Sequence, residues 1–266
     1  MNRIEERFAQ LKSRNRKGFV VYIGAGDPDL ESTRRLAIEF DKAGVDVLEL
    51  GVPFSDPLAD GVVNQLSAQR GLESGATPDG VLETVSRIRA QSQIPIILYI
   101  YYNLVHRQQV GTFIQKAARA GVDGLLILDL PPEESADYER LMAEAGMSNI
   151  YLVAPTTPEE RIELIARRAR GFIYCISREG VTGMQNDVAK GVSDLTAKIR
   201  RHTSLPIALG FGISNPDQAR AAAASADAVV VGSAIVDQIA RLGKQPDMPE
   251  KVAAFVRSLC KPVKEL

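Results

Sequence analysis

Residues 46–61 read DVLELGVPFSDPLADG, and the first half of this stretch decides the fold. VLELGV (47–52) is a short apolar run of strand length, closed by glycine and proline, with one carboxylate, Glu49, in its middle. If Leu48, Leu50 and Val52 point one way, strand alternation turns Glu49 the other way. Seven further runs of the same kind lie along the chain: FVVYIG (19–24), PIILYI (95–100), GLLILDL (124–130), NIYLVA (149–154), GFIYCIS (171–177), PIALGFG (206–212) and AVVVGSAI (228–235). They are nearly continuous in apolar residues, as strands covered by helices tend to be. Between them the apolar residues recur at helical spacing, for example in RRLAIEFDKAG, VLETVSRIRAQ, ADYERLMAEAG and RIELIARRAR, and several of these segments end at glycine, the usual residue after a helix. Eight strands alternating with helices predict an α/β fold, a (β/α)8 TIM barrel, as a single domain over residues 1–266. A doubly wound sheet is the alternative, but no dinucleotide-binding glycine turn with a downstream acid follows the first run. Ile4, Phe8 and Leu11 recur at i, i+4 and i+7, which predicts an extra N-terminal helix over the barrel bottom.

Composition excludes several functional classes. Of 266 residues, 45% are hydrophobic and 24% charged, ordinary for a globular protein with a large core. A net charge of −1 creates no global field for nucleic acid or an anionic membrane. The basic stretches RNRK (14–17) and RRAR (167–170) are short, and the second falls where a helix should end, which suits the helix dipole. The two cysteines, Cys175 and Cys260, have neither metal-site nor disulfide-framework spacing and fit a reducing cytoplasm. The charged N-terminus lacks the apolar region of a signal peptide, and no apolar stretch reaches membrane-spanning length.

In a barrel, Glu49 faces the interior near the C-terminal end of its strand, where an unpaired charge is costly. It is either a structural glutamate paired to an arginine or a functional acid. Asp60, in PLADG, is either the start of a turn before Gly61 or a second acid reaching back over the barrel mouth. Two carboxylates converging on one mouth suggest an acid–base pair. GFGIS (210–214) and VGSAIV (231–236) end the seventh and eighth runs, where glycines and a helix N-terminus suit a phosphate. SREGVTGMQND (177–187) reads as a mobile lid or as an ordinary surface loop. Only Lys190 among the lysines lies on a long loop after a strand, which argues against Schiff-base chemistry. Two histidines, His106 and His202, are too few for a metal-dependent aldolase, and no metal site is expected.

LELGVPFSDPLADG strongly resembles the signature of the tryptophan synthase alpha subunit family, the indole-3-glycerol-phosphate lyases. GAGDP (24–28), YYNL (101–104), LDLPPEES (128–135), SREGVTG (177–183), GFGIS and VGSAIV follow in that family's order and near its spacing. The resemblance implies a retro-aldol cleavage of indole-3-glycerol phosphate to indole and glyceraldehyde 3-phosphate. It implies no cofactor in this chain, and a beta subunit that condenses the indole with serine on pyridoxal phosphate in an alpha2-beta2 heterotetramer. By resemblance, Glu49 shuttles protons and Asp60 engages the indole N–H. Tyr22, Tyr174 and Thr182 border the substrate. Gly183, Gly212, Gly232 and Ser233 cradle its phosphate, and Pro53, Asp56, Asn103 and Pro131 face the beta subunit. Val62, Val63, Asn64 and Tyr99 depart from the family pattern near the expected indole pocket. A free-standing lyase and a catalytically silent activator of a beta subunit remain as alternatives.

Overall fold

The computed structural model describes residues 2–176, 185–210 and 212–266. Eight parallel strands close a barrel in sequence order: β1 (Gly18–Gly24), β2 (Val47–Gly51), β3 (Ile96–Ile100), β4 (Gly124–Ile127), β5 (Ser148–Val153), β6 (Ile173–Ile176), β7 (Ile207–Gly210) and β8 (Ala228–Val231). Each lies within or beside one of the eight apolar runs. AVVVGSAI stops being a strand at Val231, and its last residues open the helix Ser233–Leu242.

The alternation seen in the sequence separates two cores. Leu48, Leu50 and Val52 join the large cluster between the barrel and its helices. Val20, Val47, Ile97, Leu126, Ile150, Phe172 and Ala228 form the inner one. The helix Arg3–Ser13 plugs the bottom of that interior with Ile4, Phe8 and Leu11, and the Phe8 ring lies 5.5 Å from Phe172. A capping box holds the start of this helix: the Asn2 side chain accepts from the Ile4 and Glu5 amides, and Glu5 accepts from the Asn2 amide. Burying each of the three apolar side chains contributes roughly 1.5–3 kcal/mol.

The helices differ from expectation in three places. The long connection after β2 contains the helix Val62–Glu73, hidden in the sequence because its apolar residues Val62, Val63, Leu66 and Leu72 point outward. The C-terminal helix Met248–Lys264 packs against helices Leu30–Ala43 and Pro216–Ser225 and keeps Pro262 in its last turns. The stretch SREGVTGMQND is not loop throughout, since a helix, Gln185–Arg200, begins within it. Residues 177–184 of the expected lid lie outside the described residues, and with them Thr182 and Gly183.

Candidate active site

Glu49 sits at the centre of β2, in register with Tyr22 of β1 and Ile97 of β3. It is 0% exposed, and among the described residues neither carboxylate oxygen has a hydrogen-bond partner. Among the described residues, then, no arginine pairs with it. Burial first, and the charge of Asp60 second, push the Glu49 carboxyl from 4.5 up to about 8. At neutral pH it is a protonated acid facing the barrel mouth.

Asp60 reaches that mouth on the loop after β2. Its backbone amide donates to the Pro57 carbonyl at 3.0 Å, folding the loop back. Its side chain does not make a turn with its own backbone. The Tyr99 hydroxyl donates to Oδ1 and the Tyr101 hydroxyl to Oδ2, both at 2.8 Å. Ile97, Tyr99 and Tyr101 are alternate residues along and just past β3, so the same alternation that turns Glu49 inward brings both phenols to the mouth. Tyr101 also accepts from the Ala59 amide at 2.9 Å.

Tyr22 and Tyr174 are pushed up, chiefly by burial and then by the nearby carboxylates, and stay neutral phenols. Tyr22 meets Tyr99 edge-on, with ring centroids 5.1 Å apart at 69°. Gly51 makes room for this: a Cβ there would lie 2.4 Å from the Tyr22 hydroxyl. These rings, with Leu128 and Leu152, line a cleft of about 450 Å³ that also reaches Asn64, Gly212, Gly232 and Ser233. Gly232 caps the helix Ser233–Leu242, whose free N–H groups give this end of the cleft a positive pole.

Of the residues expected at a partner surface, Asp56, Asn103 and Pro131 are exposed. Pro53 is buried: it packs under Gly71, where a Cβ would lie 3.2 Å from the Pro53 Cβ. In the free chain it braces the loop rather than presenting a surface. Around Asp56 the face is apolar, with Leu58 93% exposed and Val62 and Leu66 beside it in sequence.

Two features of the site escaped the sequence reading. Tyr101 was legible as the next inward position after Tyr99. The pairing of buried Asp27 with Ser67 (2.6 Å) and Arg70 (2.8 and 2.7 Å), which ties the loop after β1 to the helix Val62–Glu73, joins residues with no sequence pattern in common. Asn64, expected near the pocket, lines the cleft with its Oδ1 buried and, among the described residues, unpartnered. His106 is exposed and His202 pairs with Glu159 at 3.1 Å. Among the described residues no three His, Cys, Asp or Glu side chains converge as a metal site, and no helix is long and apolar enough to cross a membrane.

The model of the tryptophan synthase alpha chain family matches residues 8–265. The chain belongs to the tryptophan synthase alpha chain family. The alpha chain of Opitutus terrae is 50% identical over 97% of this chain and 98% of its own length, and that of Geobacter sulfurreducens is 47% identical over 97% and 98%. The crystal structure of tryptophan synthase subunit alpha from Legionella pneumophila superposes with a TM-score of 0.90 at 35% identity, covering all of both chains. Alpha chains of tryptophan synthase are lyases that cleave indole-3-glycerol phosphate; they carry no cofactor of their own, and pyridoxal phosphate belongs to the beta chain.

The buried Glu49 makes stability depend on pH. Unfolded, the carboxyl ionises near 4.5; folded, near 8. Across that window the unfolded chain has released a proton that the native chain keeps, so stability falls as pH rises, by up to about 5 kcal/mol. Glu49→Gln should flatten this slope, because it removes the group whose ionisation differs most between the folded and unfolded chain in this window. Urea midpoints from pH 5 to 8 check it, and parallel slopes would show that Glu49 does not carry the raised value.

Proposed function

We propose that Glu49 and Asp60 are the acid–base pair of the lyase reaction. The observation that carries the reading is a fully buried carboxyl with, among the described residues, no partner, poised as an acid beside a second carboxylate at the barrel mouth. Glu49 enters protonated and delivers its proton to C3 of the indole ring, leaving positive charge on the ring nitrogen. Asp60 accepts the ring N–H and stabilises that charge. The C3–C3′ bond then breaks and its electron pair returns to the ring. The C3′ hydroxyl gives its proton to Glu49 as it becomes the aldehyde, so indole and glyceraldehyde 3-phosphate leave with Glu49 reset as the acid.

The phosphate belongs, in this reading, at Gly183, Gly212, Gly232 and Ser233, and Thr182 borders the substrate with Tyr22 and Tyr174. The positive pole of the helix Ser233–Leu242 supports it. Tyr22, Tyr174 and the aliphatic walls hold the indole. The chain acts as one barrel domain, 1–266, in the cytoplasm, within an alpha2-beta2 heterotetramer docked through the face of Asp56, Asn103 and Pro131. The exposed Leu58, Val62 and Leu66 support a covered face there.

Gly232→Val tests the phosphate end. A Cβ at this position already meets the Tyr22 ring at 3.3 Å, so a branched side chain must project toward the space given to the anion. Indole release should be inhibited competitively by glycerol phosphate in the wild type. The variant should weaken both substrate and inhibitor by roughly tenfold or more, the worth of one lost hydrogen bond to a charged group. Unchanged affinity for both would move the phosphate elsewhere.

A further inference from the structure

Two phenols hold Asp60, and they are anchored differently. Tyr101, just past β3, packs on the loop that carries Asp60: its ring lies 5.0 Å from Phe54, and its hydroxyl accepts from the Ala59 amide, both loop residues. Tyr99 belongs to the barrel. It is a residue of β3 in register with Gly51 of β2, its ring is wedged edge-on against Tyr22, and it lines the cleft. Its hydroxyl donates to Asp60 Oδ1 at 2.8 Å. One oxygen of the carboxylate is thus held by a phenol packed on the loop and the other by a phenol of the barrel wall.

We propose that Tyr99 is a positioning residue that locks the Asp60 carboxylate toward the ring nitrogen of the substrate. The inference rests on the assignment of Asp60 to that nitrogen. With a donor on each oxygen, rotation about the Cβ–Cγ bond of Asp60 would break both hydrogen bonds. A carboxylate has about four lone-pair positions, so each oxygen still accepts a second donor, and the indole N–H takes one of these. Orientation is then set before substrate arrives, which is the form in which electrostatic stabilisation is most effective. The charge that Asp60 answers develops only after C3 is protonated, so a loosened carboxylate costs turnover and leaves substrate affinity largely intact. The Tyr99 ring makes a second contribution, as a wall of the indole slot.

The two contributions separate by substitution. Tyr99→Phe keeps the ring on Tyr22 and removes the hydroxyl. In the full chain, alone and with a beta chain, it should lower kcat about tenfold or more, the usual worth of a hydrogen bond to a charged group, with KM within about twofold. Tyr99→Leu removes both, and should lose as much kcat while raising KM; it also serves should the phenylalanine variant fold poorly. Thermal melting confirms that the variants compared are folded. A merely structural tyrosine would lower the amount of active protein without splitting kcat from KM. Full kcat in Tyr99→Phe, or a change confined to KM, overturns the proposal. Asp60→Asn is measured alongside. If Asp60→Asn is inactive and Tyr99→Phe fully active, only the positioning role falls; if Asp60→Asn turns over normally, the assignment of Asp60 itself falls.

Discussion

Glu49→Gln is expected to lower indole formation by ~10²–10⁴-fold, the usual contribution of a positioned proton-transfer group, while substrate still binds. The reason lies in the state of the carboxyl. Burial and Asp60 push it up to about 8, so near pH 7 it is neutral, and glutamine matches it in size and charge. What glutamine lacks is the proton that C3 must receive and the base that the C3′ hydroxyl needs. Competition by glycerol phosphate should therefore be unchanged in the variant while indole release collapses. In the wild type the same pKa predicts a falling limb of kcat/KM as pH passes about 8, because ionised Glu49 has no proton to give. Near-wild-type turnover by Glu49→Gln, or a rate that stays flat well above pH 8, would remove Glu49 from the proton transfer.

The second large effect is expected from the partner. Asp60 and Asp56 share the loop after β2, so one segment reaches the cleft and also forms part of the exposed face. The loop is stiffened by two prolines, Pro53 and Pro57, and Pro53 is further braced by its packing under Gly71. A partner docking on Leu58 and Asp56 is therefore expected to shift the Asp60 carboxylate, which Tyr101 holds at the other end of the same loop. The lyase alone should be slow and should speed up when a beta chain binds, by roughly 5–150-fold, the range of a coupling of about 1–3 kcal/mol. Asp56→Ala should lose most of this activation and keep the low basal rate, since Asp56 is exposed and its side chain, among the described residues, accepts only from its neighbour Ser55, while its backbone bond from the Leu58 amide survives the substitution. Indole release by both proteins across a titration of beta chain measures it. Equal activation removes Asp56 from the coupling; a fast wild type that the beta chain does not accelerate indicates a free-standing lyase.

Local patterning made the barrel legible. Each apolar run needed only its own alternation and the helical spacing on either side, and Ile4, Phe8 and Leu11 announced the plug by their own period. The inward turn of Glu49 followed from its immediate neighbours Leu48 and Leu50 in the same way. Family resemblance named Asp60, but its neighbourhood was not readable. That Asp60 is gripped by Tyr99 and Tyr101 depends on a loop folding back by ten residues onto the end of another strand. That Asp27 meets Arg70 depends on where a helix with outward apolar residues comes to rest, and that Pro53 is buried depends on Gly71 lying above it. Strand and helix periods are properties of consecutive residues, so the chain alone determined the eight strands, the plug and the buried acid. Which side chains converge at the mouth is set by closure of the barrel and the return path of its loops, and only the tertiary structure brings a buried carboxyl, a second carboxylate and its two phenols within hydrogen-bonding or electrostatic reach.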